Sequence, residues 1–294
     1  MSEIAVAKPR SNTLLNKKLL SRLFFYGLTI GLSFMFLFPF FWTVGSSLKT
    51  SREIVSYPPT LIPRIVQWEN YPVAWQTVEF GPFFMNSIIV TALTLVGGTF
   101  SGLIVAYGFA RFRFPGRDLL FGLCLSTLIL PPEVTIIPLF LIFRDLGWLD
   151  TLKPLIVPSF LGGGAFTIFL LRQFILTLPF DLDEAALIDG AGRVRILFEI
   201  IVPNAKPALA AAAVFGFINH WNEFFQALIF LNSRENFTIP LGLYTLRTYA
   251  GDPGEPKDHL LMAGSVIATL PIVIVFFLAQ RYFVQGIVTT GLKG

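Results

Sequence analysis

Six runs of apolar residues constrain this chain more than any other feature. They are Leu23 to about Val44, Phe83 to Phe109, Leu119 to Phe143, Leu155 to Leu171, Ala208 to Leu231 and Leu260 to Tyr282. A helix of about 20 residues crosses the ~30 Å hydrocarbon layer of a bilayer. Inside that layer every backbone N–H and C=O needs a partner from the chain itself, so runs of this length span as helices. The expected fold class is an all-α integral membrane protein with six transmembrane helices. Composition agrees: 54% of residues are hydrophobic and only 14% charged, against about 25% charged in a soluble domain.

The same numbers exclude several functions. A net charge of +4 can indicate nucleic-acid binding, but in a chain this apolar it reflects basic loops at a membrane surface, and no nucleic-acid partner is expected. The single cysteine, Cys124, lies in an apolar run, which removes intramolecular disulfides and a Cys-based metal site. Two histidines, His220 and His259, are too few for a histidine-built metal centre. There is no G-x-x-x-x-G-K-[ST] phosphate loop, so the chain is expected to be non-catalytic and to bind no nucleotide cofactor itself.

Lysine and arginine placement sets the orientation. With six spans, fourteen basic residues, among them Arg111, Arg113, Arg117, Arg193 and Arg195, fall on the side of both termini, and eight fall on the other. Both ends are therefore expected in the cytoplasm. Residues 1–22 form a basic cytoplasmic segment, 23–283 the six-helix transmembrane domain and 284–294 a cytoplasmic tail, which its glycines suggest is extended. Residues 45–82, rich in proline and aromatics, and 232–259 are expected to be extracytoplasmic loops. Pro131-Pro132 must break or kink the third span. Gly97, Gly98 and Gly102 offer a packing seam in the second span, whereas Gly162-Gly163-Gly164 either pack closely or loosen the fourth.

One charged stretch interrupts this pattern, on the cytoplasmic side. Asp181, Asp183 and Glu184 suit the first turn of a helix, next to its partial positive charge. Ala185 to Ile188 continue that helix, and Gly190 or Gly192 can take the left-handed turn that stops it. A second short helix follows from Arg193 to about Ile201, ended by Pro203 and Pro207. Residues 181–207 thus form a knob of two short helices, too short to cross a membrane.

The order of residues in the knob carries a resemblance. Glu184-Ala185-Ala186, Asp189-Gly190-Ala191, Ile200 and Val202-Pro203 resemble the EAA loop of permease subunits of binding-protein-dependent ABC importers. The pattern is Glu-Ala-Ala, three residues, Gly, nine residues, Ile, one residue, Leu-Pro, and only Val202 departs from it. Leu130-Pro131-Pro132-Glu133, Trp221-Asn222-Glu223-Phe224 and Thr238-Ile239-Pro240-Leu241-Gly242 are similar to landmarks of the maltose-type carbohydrate uptake class, and of the smaller of its two permease subunits. The resemblance implies a type I ABC importer permease fold in a bacterial or archaeal cytoplasmic membrane. It implies as partners a second, different permease subunit, two ATPase subunits that hold ATP and Mg, an extracytoplasmic solute-binding protein, and membrane lipid. It also implies that Glu184, Ala185, Ala186, Asp189 and Gly190 couple to the ATPase. The alternative for Glu184 is a simple carboxylate at a helix start.

Polar residues inside spans are candidates for the solute path. These are Glu133 and the patch Asn219, Trp221, Asn222 and Glu223, in which Asn219, Asn222 and Glu223 share a helix face. A hydrogen-bond clamp between helices explains the same residues. Tyr249, Asp252 and Glu255, in the last loop, are candidates for binding-protein contact, or belong to a solvated connector. An ion-driven secondary transporter is the alternative reading; it predicts paired intramembrane charges and an internal repeat, and neither is evident.

Overall fold

The computed structural model describes the backbone of residues 12–77, 79–249 and 257–291, and the side chains of 19–77, 79–246 and 257–280. Among these residues every regular element is helical. Helix α1 (Asn12–Ser47) is followed by two short helices, α2 (Ser51–Ile54) and α3 (Asn70–Thr77), and by α4 (Phe80–Arg111). Next come α5 (Arg117–Ser126), α6 (Pro132–Asp145), α7 (Lys153–Ile156) and α8 (Ala165–Thr177). The charged stretch forms α9 (Asp181–Ile188), α10 (Arg193–Ile196) and α11 (Val202–Asn204), with a wider π turn at Leu197–Ile201. Helices α12 (Lys206–Trp221), α13 (Phe225–Phe230), α14 (Ile239–Tyr249) and α15 (Asp258–Gly291) complete the chain.

Four helical stretches among the described residues are long and apolar enough to cross a membrane: Leu19–Ser47, Phe80–Arg111, Lys153–Thr177 and Asp258–Gln280. A fifth is obtained if Arg193–Asn204 and Lys206–Trp221, bent by 80°, count as one span. Several expected elements therefore differ from the structure. The run Leu119 to Phe143 is not one helix: α5 and α6, of 10 and 14 residues, are separated where Pro131 is extended and Pro132 begins a new helix, because proline has no N–H to continue the ladder. The run Ala208 to Leu231 likewise breaks after Trp221 into α12 and α13. The loop 232–259 contains helix α14, and the tail expected to be extended continues α15 as far as Gly291.

Helix α4 is the spine of the fold. Leu103, Ala106, Tyr107 and Ala110 at its C-terminal end pack with Phe121 of α5, Ile168, Leu171 and Ile175 of α8, and Ile196 and Ile201 of the knob. Phe80 and Phe83 at its N-terminal end join Trp221, Ile239, Leu246, Leu260 and Ala263. Val90 between them joins Ile136, Phe143, Leu155 and Phe230. The glycine seam explains how α8 and the turn before it approach so closely. A Cβ on Gly97 would lie 2.5 Å from the Phe160 ring, and one on Gly102 would lie 2.9 Å from Thr167 Cγ2. The three glycines of the fourth run break the span before α8, with φ of 117°, 71° and 81°. Gly163 packs tightest, since a Cβ there would lie 2.0 Å from the Gly98 carbonyl oxygen. A Cβ on Gly27 or Gly31, by contrast, would meet nothing beyond its own helix within 4 Å.

The loop between α6 and α7 is fastened by Asp150. Its amide donates to the Phe230 carbonyl at 2.8 Å. Its carboxylate accepts from the amides of Asn232 (2.9 Å) and Ser233 (2.7 Å) and from the Ser233 hydroxyl. Asn236 Nδ2 donates to the Asp150 carbonyl at 2.6 Å.

Candidate coupling knob and membrane cleft

The knob is built by its capping residues. Asp181, Asp183 and Glu184 occupy the first turn of α9, where the helix dipole favours acidic groups. Of the two glycines, Gly190 takes the left-handed conformation, with φ 79°. Its amide donates to the Leu187 carbonyl, and Ala191 N to the Ala186 carbonyl at 2.9 Å, which closes the free C-terminal end of the helix. A Cβ on Gly190 would meet nothing within 4 Å, so backbone conformation rather than space calls for glycine there. Pro203 and Pro207 both sit where a new helix starts, and the chain turns by 80° between them.

Helix α9 has two faces. Asp183 and Ala186 point inward and are buried, while Glu184, Ala185, Leu187, Ile188 and Asp189 are exposed. Ile188 is 86% exposed and Val194 71%, leaving two branched apolar side chains on the outer surface of the knob. On the inner face the Asp183 carboxylate meets Arg111 Nε at 3.1 Å, with both side chains almost fully buried. Arg111 Nη2 also donates to the Leu178 carbonyl at 3.1 Å, and its guanidinium lies over the Phe180 ring. One turn earlier on α4, the Tyr107 hydroxyl donates to the Arg193 carbonyl at 3.4 Å. Sequence reasoning gave Arg111 only to a basic loop and Asp183 only to a helix start. The pair lies far apart in sequence, and its sole local trace is a charge at the end of an apolar helix.

In the membrane region the structure gathers part of the expected polar patch. Asn219, His220 and Glu223 line a cleft of about 400 Å³ with Gln226, opposite Pro154, Leu155, Pro158, Ser159, Gly163 and Gly164, and beside Val90 and Gly98 of α4. Glu223 Oε1 also accepts from the Gln226 amide at 2.8 Å, satisfying an amide that the start of α13 would otherwise leave open. Asn222 is outside the cleft lining, and its Nδ2 donates back to the Ile218 carbonyl at 2.8 Å. Trp221 faces away: it is buried, its Nε1 donates to the Ala268 carbonyl of α15 at 2.9 Å, and its ring stacks on Phe217. That is the geometry of an interhelical clamp. Glu133 lies exposed in the first turn of α6, apart from this cleft. Gln226 and Ser159 are additions that sequence reasoning missed; Gln226 follows Glu223 by one helical step, which is the signal that would have found it. The Tyr249 side chain, Asp252 and Glu255 lie outside the described residues.

A family model described as "Binding-protein-dependent transport system inner membrane component" matches residues 97–289. The chain is similar to the probable ABC transporter permease protein YurM of Bacillus subtilis (strain 168), 37% identical over 87% of this chain and 84% of that protein. It is also similar to the arabinooligosaccharides transport system permease protein AraQ of the same organism, 35% identical over 90% of this chain and 92% of that one. In fold it matches a chain of a bacterial ABC transporter involved in the import of the acidic polysaccharide alginate. The TM-score there is 0.77 at 24% identity, covering 94% of this chain and 100% of that chain. The family match takes in the C-terminal part of α4, the whole knob and every cleft-lining residue but Val90, and the chain belongs to the binding-protein-dependent transport system inner membrane components, as a permease subunit with the type I ABC importer permease fold.

Proposed function

We propose that this chain forms half of the translocation pathway of an ATP-driven carbohydrate importer and is moved through its knob by a separate ATPase subunit. The single observation that carries this reading is the two-faced knob. Its inner face is locked to α4 by a buried ion pair, and its outer face presents Glu184, Ala185, Ile188 and Val194, all exposed among the described residues. A rigid protrusion with uncovered apolar side chains suits a docking cleft on a partner. In this reading Glu184 meets a basic group there, Ala185 permits close approach, Ala186 and Gly190 shape the helix and its end, and Asp189 lies at the rim.

The chain would cross the membrane six times, with the broken pair α5–α6 as the third span and both termini in the cytoplasm, as the distribution of basic residues favours. ATP and Mg would be held by two ATPase partners. A second permease subunit would complete the pathway, and an extracytoplasmic binding protein would deliver solute toward the loop holding Tyr249, Asp252 and Glu255. Carbohydrate as the solute class is supported by the name of the arabinooligosaccharide relative. Amides and a carboxylate from Asn219, Gln226 and Glu223 around one cleft are groups that pair with hydroxyls.

The test is ATP hydrolysis by the reconstituted complex carrying Glu184→Lys, with assembly followed by co-purification. Loss of the complex, or an assembled complex that no longer responds to loaded binding protein, is expected. Normal stimulation and uptake would leave Glu184 as a helix-start carboxylate and refute the coupling role.

A further inference from the structure

Arg111 is the last residue of α4, and its side chain is almost wholly enclosed. It addresses three segments at once: the Asp183 carboxylate of α9, the Leu178 carbonyl at the end of α8, and the Phe180 ring between them. Among the described residues neither Asp183 oxygen has a hydrogen-bond donor, so the Arg111 guanidinium at 3.1 Å is what compensates this buried charge. Removing one partner of such a pair leaves an uncompensated charge in the interior, whereas replacing both with apolar side chains is often tolerated. The pair therefore does little for stability that a Met–Leu contact could not do. What an apolar contact cannot supply is direction, because burial is non-directional.

The middle of the same helix reaches the cleft. Val90 and Gly98 of α4 line it, and no proline interrupts α4 between Gly98 and Arg111, so this helix has no built-in kink of the kind proline makes. One turn before Arg111, Tyr107 holds the second helix of the knob through the Arg193 carbonyl. Both halves of the knob are thus pinned to one face of α4, about two and a half to three and a half helical turns from Gly98 in the cleft wall.

We propose that Arg111 and Asp183 are positioning residues, the joint that keeps the knob in fixed register with α4, so that a displacement of the knob becomes a displacement of the cleft wall instead of being absorbed in the α8–α9 turn. This rests on the knob being the part an ATPase moves. The joint itself is a property of this chain.

The test uses the complete transporter in nanodiscs, with this chain carrying Cys124→Ser and spin labels at Leu182→Cys on α9 and Val96→Cys on α4. Pulsed electron spin resonance reads the intrachain distance without nucleotide and with ATP plus vanadate. With the pair intact, one narrow distribution is expected in both states. With Asp183→Asn, and with the double variant Arg111→Met/Asp183→Leu, the distribution is expected to widen about twofold as the knob samples several orientations. The double variant buries no unpaired charge, so it is expected to keep the thermal midpoint of the parent and to separate positioning from folding, even if Asp183→Asn fails to fold. A distribution as narrow in the double variant as in the parent would overturn the proposal. The nucleotide-free comparison needs no ATPase, so failure of ATPase subunits to co-purify would count against the proposed function and leave this result readable.

Discussion

Asp150, at a left-handed backbone φ of 57°, receives both the amide and the hydroxyl of Ser233 on its carboxylate, and so ties the α6–α7 loop to the segment after α13. Partial burial pushes the Asp150 pKa up. The hydrogen bonds from the Ser233 hydroxyl and amide, the Asn232 amide and Asn236 together outweigh it and hold the pKa at about 2, down from 3.8. The bonded form is the charged one, so between these values the unfolded chain binds more protons than the folded one and stability rises with pH. The contribution is complete above about pH 4 and is lost as pH falls toward 2. Asp150→Ala is expected to lower stability by about 1–3 kcal/mol at neutral pH and to flatten the acid limb of the thermal midpoint against pH. Asp150→Asn, which tolerates a left-handed φ and keeps an acceptor, is expected to do less. An unchanged acid limb in Asp150→Ala would remove the carboxylate from this role.

Two glycines in one packing seam separate space from conformation. A Cβ on Gly163 would lie 2.0 Å from the Gly98 carbonyl oxygen at φ 71°, whereas one on Gly98 would lie 3.8 Å from Gly163 Cα, an ordinary contact. Gly163→Ala is expected to cost at least about 3 kcal/mol from overpacking and left-handed strain together, read as loss of monodisperse protein in detergent. Gly98→Ala is expected to be neutral or to stabilise by about 0.5–1 kcal/mol, because alanine favours a helix interior. Equal behaviour of the two variants would mean that the close approach is not made.

Trp221 and Asn219 are two residues apart in sequence and do different things. Trp221, with its indole bound to Ala268 and edge-on to Phe84, is expected to cost about 3–5 kcal/mol when replaced by alanine. Trp221→Phe is expected to cost less, since it keeps the ring contacts and loses the hydrogen bond. Thermal unfolding in detergent decides this, and a midpoint unmoved by Trp221→Ala would refute the clamp.

Asn219 is exposed and lines the cleft. Asn219→Trp is expected to fill that space and abolish uptake by cells carrying the complete transporter, while stability stays within about 0.5 kcal/mol of the parent. Undiminished uptake would place the solute elsewhere. Glu223→Gln, which keeps the oxygen that accepts from the Gln226 amide, is expected to preserve the fold and to alter uptake only if the charge itself meets solute.

Much of the site was legible because its signals are local. The first turn of α9, the left-handed turn at Gly190 and the proline starts at Pro203 and Pro207 are dictated within a few residues, so the knob could be drawn from residues 181–207 directly. The face shared by Asn219, Asn222 and Glu223 was read from helical spacing. It failed at Asn222, where α12 ends and the side chain turns back to Ile218: spacing predicts direction only while the helix continues.

The apolar runs, the prolines and the EAA spacing by themselves determined a helical membrane protein with a charged knob, since bilayer thickness and the lack of a proline N–H act on a chain wherever it folds. Only the tertiary structure decided that Arg111 lies against Asp183, that Asp150 gathers the segment from Asn232 to Asn236, and that Trp221 turns from the cleft to α15. Each of those joins groups far apart in sequence. Their geometry depends on how whole helices pack, and no local propensity carries that information.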